Sequence, residues 1–113
     1  SDVLIYRLVY NLVENAIRYN HPGGQVTVTA CRKEQKMCLS VSDTGSGIPE
    51  NLRERVFEPF FRVDKSRSRE LGGVGLGLAL AREIVRVHEG SITVRPNPSG
   101  GTIFDVTFTQ GSI

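Results

Sequence analysis

The segment Leu71-Gly72-Gly73-Val74-Gly75-Leu76-Gly77-Leu78-Ala79-Leu80-Ala81-Arg82-Glu83-Ile84 constrains this chain most. Glycines crowd together and run straight into an amphipathic helix pattern. A junction of this kind presents free backbone N–H groups at a helix N-terminus, where the dipole also favours negative charge. Glycine lets the backbone bend sharply and approach an anion closely. The segment therefore reads as a phosphate cradle, or more plainly as a glycine hinge before a core helix. A P-loop is excluded, because no Gly-Lys-Ser/Thr triplet occurs. A Rossmann fingerprint needs a hydrophobic strand before the glycines. Here Arg67-Ser68-Arg69-Glu70 precedes them, and the spacing 73, 75, 77 is also wrong.

At 113 residues the chain is long enough for one domain, residues 1–113, with one modest core. Fourteen basic against twelve acidic residues give a net charge of +2. That balance argues against nucleic acid as a partner. No apolar run reaches membrane-spanning length and no signal peptide is visible, so a soluble chain is expected. The helix pattern begins directly after Ser1-Asp2, as in a fragment of a longer protein. Two cysteines, Cys31 and Cys38, make no disulfide framework and are expected to be free thiols.

Residues 3–19 read as a helix with Ile5, Leu8, Val9, Leu12 and Ala16 on one arc and Asp2 as N-cap. Residues 25–33 and 36–43 read as strands joined at Glu34-Gln35, a register that would set Cys31 opposite Cys38. Val26, Val28 and Ala30 share one face of the first strand, and Leu39 and Val41 one face of the second. Residues 44–49 form a Gly/Pro loop, and Glu50 to Val56 a short helix. Residues 57–75 lack a period and carry Arg62, Lys65, Arg67 and Arg69, which suggests a mobile basic loop. A second long helix runs from Leu76 to His88 with Gly90 as its stop. Strands 91–95 and 102–109 close the chain. The order α-β-β-α-α-β-β predicts an α+β two-layer sandwich.

Three constellations could carry chemistry. Asn11, Asn15 and Arg18 form one stripe on the first helix, bordering its apolar arc. Carboxamide oxygens suit Mg²⁺ and a guanidinium suits phosphate. Alternatively, the asparagines bond a nearby loop and Arg18 pairs with Glu14. Asp43 shares the parity of Leu39 and Val41 and so points toward the core. There it could accept from an exocyclic amine such as that of adenine, with Gly45 and Gly47 letting a flat ring approach, or simply cap the next turn. Phe57-Glu58-Pro59-Phe60-Phe61-Arg62 could anchor a phosphate-facing lid or form a satellite hydrophobic cluster. His21 has no metal-ligating neighbours in sequence. His88 closes a helix and suits an interaction with the dipole.

Together these pieces resemble the ATP-binding catalytic domain of bacterial sensor histidine kinases. Asn11-Leu12-Val13-Glu14-Asn15-Ala16-Ile17-Arg18-Tyr19 is similar to the family's asparagine box. Asp43-Thr44-Gly45-Ser46-Gly47-Ile48-Pro49 resembles its first glycine box, Phe57 to Arg62 its phenylalanine box, and Gly73-Val74-Gly75-Leu76-Gly77-Leu78 its second glycine box. Gly100-Gly101-Thr102-Ile103-Phe104 also fits. Four boxes in order over nearly the whole chain make a specific match.

The resemblance implies a Bergerat-type fold: a mixed, mainly antiparallel sheet with three helices on one face. It implies ATP and Mg²⁺ as cofactors. Asn15 would ligate Mg²⁺ with Asn11 beside it, and Arg18 and Tyr19 would contact phosphate and ribose. Asp43 would accept from the adenine amine, helped by Gly47 and Thr102 through ordered water, with Gly45 and Ile48 in the same loop. Arg62 to Val74, including Lys65, would form the lid, and Gly73, Gly75, Leu76 and Gly77 would offer backbone donors. Hydrolytic members of the superfamily (gyrase-type, mismatch-repair and chaperone ATPases) carry a glutamate where Asn11 stands. An asparagine cannot serve as that general base, which favours phosphotransfer to a histidine.

The implied partners are a helical phosphoacceptor and dimerisation domain and a response-regulator receiver domain, within a homodimeric parent. The implied place is the cytoplasmic side of a bacterial inner membrane. No phosphoacceptor histidine motif occurs, so the fragment is not expected to phosphorylate itself. An ATP-gated interaction module without catalysis is the alternative. Strand residues that usually precede the first helix are missing, so an exposed sheet edge is expected, with marginal stability or self-association.

Overall fold

Alternation of apolar and polar residues makes the four strands, and helical spacing makes the two long helices packed on them. The structure, a computed structural model, describes residues 2–62 and 75–109. Helix α1 spans Asp2–Arg18, strands β1 and β2 span Val26–Lys33 and Lys36–Asp43, helix α2 spans Gly77–Val87, and strands β3 and β4 span Ser91–Pro96 and Thr102–Thr109. The sheet order is β1-β2-β4-β3, so β1 and β3 stand at its edges. Every pairing among the described residues is antiparallel. Both helices lie against one face of the sheet, in an α+β sandwich.

Register explains the core. Val28, Val41, Phe104 and Val94 stand abreast across the four strands, and Ala30, Leu39, Val106 and Ile92 form the next row. Leu8, Leu12 and Ala16 of α1 and Ala81, Ile84 and Val85 of α2 close over the central strands. The expected arc of α1 is thus buried at Leu8, Leu12 and Ala16, with Ile5 packed at its margin. Val9 instead lines a shallow apolar groove with Tyr6, Tyr10, Val13 and Ile17 on the other side of the helix.

Several expected details differ. Asp2 lies in the first turn of α1 rather than before it, where its charge complements the dipole. The short helix expected over Glu50–Val56 is two single 3-10 turns, Glu50–Leu52 and Arg55–Phe57. Pro59 requires an extended Glu58 (ψ 139), so the chain must stop turning just where it buries Val56 and Phe57. Counted among the described residues, two α-helices and these two turns stand where three helices were expected.

Gly90 is also not the left-handed stop of α2. Glu89 takes that conformation, with φ 57. The Gly90 amide then donates to Val85 O at 2.9 Å and the Glu89 amide to Arg86 O at 3.0 Å, a Schellman-type closure. Gly90 is needed for a different reason: a Cβ there would strike the Thr107 carbonyl oxygen and the Phe108 ring. We therefore expect Gly90→Ala to cost about 2 kcal/mol or more. Glu89→Gly should be neutral or stabilising by up to about 1 kcal/mol. Urea denaturation of both variants checks this, and the reverse ranking would refute it.

Candidate functional site

The C-terminal turn of α1 is tied to the sheet before any functional side chain is considered. Asn20 Nδ2 donates to Gln25 O at 2.8 Å, and the Gln25 amide donates to Thr44 Oγ1 at 2.9 Å. Thr44 Oγ1 in turn donates to Asn20 Oδ1 at 3.2 Å. This clamp holds the end of α1, the start of β1 and the end of β2 together. Gly45 follows at once, and a Cβ on it would run into the Tyr19 carbonyl oxygen. Only a residue without a side chain lets the loop pass this close to the helix.

Asp43 closes the floor. It is 5% exposed. Its Oδ1 accepts the Gly45 amide at 2.8 Å and the Thr102 amide at 3.3 Å. Asn97 Nδ2 donates to the Asp43 carbonyl at 2.8 Å. Gly101, at φ 101, passes so near that a Cβ would strike the Asp43 carbonyl oxygen. Both amide bonds fall on Oδ1, which leaves Oδ2 as the acceptor for a ligand donor. Burial pushes the Asp43 carboxyl above its ordinary value, and the Gly45 and Thr102 amides and the His21 charge pull partly the other way. Asp43 thus caps the turn that follows it and, being buried, also faces inward as its parity requires.

Above this floor opens a cleft of about 860 Å³, counting the part open to solvent. Among the expected residues, Asn11, Asn15, Arg18, Tyr19, Asp43, Gly47, Ile48, Arg62, Gly75, Gly77 and Thr102 line it. Gly45 lies beneath and Leu76 beside it, as the residue preceding α2. Lys65 and Gly73, and the lid expected from Val63 to Val74, lie outside the described residues. Sequence reading missed Glu14, Ser46, Val56, Phe61 and Leu78 as lining residues. Glu14 could have been found, since it sits on the Asn11–Arg18 stripe. It bonds Arg18 at 2.7 Å, the pairing given as the alternative for that arginine, and both residues border the cleft.

Two residues of the cleft lining hold buried polar atoms without a partner. Asn11 Nδ2 and Arg62 Nε are buried and have no hydrogen-bond partner among the described residues. Orphaned buried donors are costly, and such groups are found at strained or functional places and where water or an ion completes them. The α2 N-terminus has no side-chain cap, and a Cβ on Gly77 would meet nothing within 4 Å. That glycine is not demanded by packing and leaves open space above free amides. The hard oxygen donors are the Asn11 and Asn15 carboxamides and the Glu14 carboxylate, a set that fits Mg²⁺. No three His, Cys, Asp or Glu side chains cluster as a metal site among the described residues.

The aromatic segment is divided: Phe57 joins the main core, Phe61 packs at its margin and Phe60 is exposed. Phe57 is buried, edge-on to Phe104 at 6.0 Å, with Arg82 over its ring at 5.6 Å. Phe61 carries Arg55 at 4.7 Å. Phe60, left-handed at φ 65, donates its amide to Gly75 O at 2.8 Å. The two ends of the intervening segment are thereby pinned to each other. His88 is buried, with Nδ1 2.7 Å from Ile84 O and its ring against Phe108, which agrees with a helix-end role.

A family profile described as histidine kinase-, DNA gyrase B- and HSP90-like ATPase matches residues 1–112. The chain is 46% identical over 106 residues to the sensor histidine kinase RppB of Synechocystis, covering 94% of this chain and 23% of RppB. It therefore spans under a quarter of that relative. The mycobacterial sensor histidine kinase MprB superposes with a TM-score of 0.87 at 32% identity, over 96% of this chain and 74% of that one. The histidine kinase ThkA, solved in complex with the response regulator TrrA, superposes at 0.77 and 30% identity, over 96% of this chain and 29% of that one.

The buried carboxyl gives a stability test. A group whose folded value is raised binds its proton more tightly in the folded state. Its charge therefore costs stability at neutral pH, and the cost fades as pH falls through the raised value toward the ordinary one near 3.8. Asp43→Asn should be at least as stable as the parent at pH 7. Its advantage should shrink on acidification through that window, in paired thermal melts. A variant that is less stable at pH 7, with a deficit that narrows on acidification, would overturn this account.

Proposed function

This chain belongs to the histidine kinase-, DNA gyrase B- and HSP90-like ATPase family, and we propose that it binds ATP and passes the γ-phosphoryl to a histidine on a separate helical domain of a sensor kinase. The observation that carries the reading is the convergence of all four boxes on one cleft, with two of its lining residues, Asn11 and Arg62, each holding a buried donor that has no partner among the described residues. Asp43 Oδ2 accepts from the adenine amine. Gly45 and Gly101 keep the floor thin, Ile48 packs on the ring, and Gly47 and Thr102 hold bridging water. Arg18 and Tyr19 reach phosphate and ribose. Gly75, Leu76 and Gly77 offer backbone amides to the phosphates, and Arg62, Lys65 and Gly73 complete the lid.

Asn15 and Asn11 would hold Mg²⁺, which supplies charge neutralisation at the phosphates. The chain's own work is positioning and preorganised charge. Asn11 offers no base to activate water, which favours transfer over hydrolysis. The acceptor helical domain, the receiver domain of a response regulator, a dimeric parent and a cytoplasmic position at the inner membrane belong to this same proposal.

Mixing the chain with a separately made phosphoacceptor domain and labelled ATP tests it. We expect Mg²⁺-dependent labelling that Asn15→Ala abolishes, and full labelling by that variant would remove the metal role. By calorimetry, Asp43→Asn should weaken ATP about tenfold to a hundredfold by loss of a charge-assisted acceptor. It should also blur adenine against guanine. Gly77→Ala should fold as well as the parent or better, by up to about 1 kcal/mol, yet bind ATP less tightly. Unchanged affinity in both variants would end the nucleotide reading.

A further inference from the structure

The sheet face away from the helices carries a second constellation that the nucleotide cleft does not use. Cys31 on β1 and Cys38 on β2 are direct register partners. Directly opposed Cα atoms in an antiparallel pair lie about 4.5 or about 5.5 Å apart. Both spacings fall within the roughly 4.4–6.8 Å that a disulfide spans. Cys31 is exposed and Cys38 partly so, and both are free thiols. Two residues along the same face stand Lys33 and Lys36, also direct partners, both exposed. Like charges placed directly opposite are unfavourable, and here they flank two thiols, with Glu34 as the acid in the turn between them.

The geometry points to a redox-active dithiol, in which Cys31 and Cys38 are oxidised to a cross-strand disulfide by a small anionic disulfide of the glutathione class drawn in by Lys33 and Lys36. One cysteine thiolate attacks the oxidant's sulfur, the oxidant's S–S bond breaks, and one small thiol leaves with a proton. The second cysteine then attacks the protein sulfur of that mixed disulfide and expels the second small thiol. Two protein thiols are oxidised and one small disulfide is reduced. The Cys31 thiol sits above its ordinary value, first from desolvation and then from the adjoining Cys38, which agrees with two sulfurs in mutual reach. Lys33 pulls the Cys31 thiol the other way, more weakly than these, and both ammonium groups favour the approach of an anionic oxidant.

This inference is independent of nucleotide. The reduced chain is incubated with glutathione disulfide, quenched with acid and weighed intact without reductant. We expect a product lacking two hydrogens, with Cys31 linked to Cys38 in peptide maps, reversed by dithiothreitol. Cys31→Ser and Cys38→Ser should each stop at the glutathione adduct. Lys33→Gln with Lys36→Gln should slow oxidation by glutathione disulfide on the order of tenfold relative to cationic cystamine. A lasting glutathione adduct on the parent chain, a link between two chains, or no reaction would overturn the dithiol. An unchanged rate ratio would overturn the part given to the lysines.

Discussion

One buried carboxylate organises this domain. Asp43 takes two backbone amides on a single oxygen, one from its own loop and one from β4. It thereby joins the end of β2 to the start of a strand 59 positions later. Burying a charge is expensive unless it is paired or hydrogen bonded, so this arrangement persists only because three chain segments pass within backbone contact. That proximity depends on Gly45 under the Tyr19 carbonyl and Gly101 under the Asp43 carbonyl. The floor of the cleft is therefore made of main chain, which gives a flat ligand a rigid surface and few side chains to displace.

Both helices, packed against each other, contribute to the cleft. The asparagine stripe occupies the flank of α1, whose adjoining flank holds Leu8, Leu12 and Ala16 in the core. Those core contacts fix the rotation of the helix and so aim Asn11, Asn15 and Arg18. Helix α2 points its uncapped start at the same space. A negatively charged ligand would thus meet carboxamides and a guanidinium on one side and free amides on the other.

Much of this was legible from residue order. Period-two alternation in Val26–Lys33 and Lys36–Asp43 located the hairpin, and the Glu34-Gln35 turn fixed its register to the residue. The inward parity of Asp43 followed from Leu39 and Val41. What was not legible depended on distant contacts. The glycine at position 90 looked like a helix stop, but its steric neighbour, Thr107, lies across the sheet. Likewise, nothing local shows that Phe57 meets Phe104, so the core membership of Phe57 required the fold. The break into 3-10 turns came from competition between burial and a proline, which periodicity does not weigh.

The amide bond from Phe60 to Gly75 has a bearing on how such a domain can vary. The bond holds residues 60 and 75 together beside the core, so the chain leaves the scaffold and re-enters it at one point. The entropic cost of bringing two such points of a chain together rises only with the logarithm of the length between them, about 0.6 kcal/mol per doubling. Residues can therefore be gained or lost between these two anchors at small thermodynamic cost, and without shifting the register of any strand. Length at that one place is thus free to diverge among related chains while the nucleotide-facing scaffold stays the same.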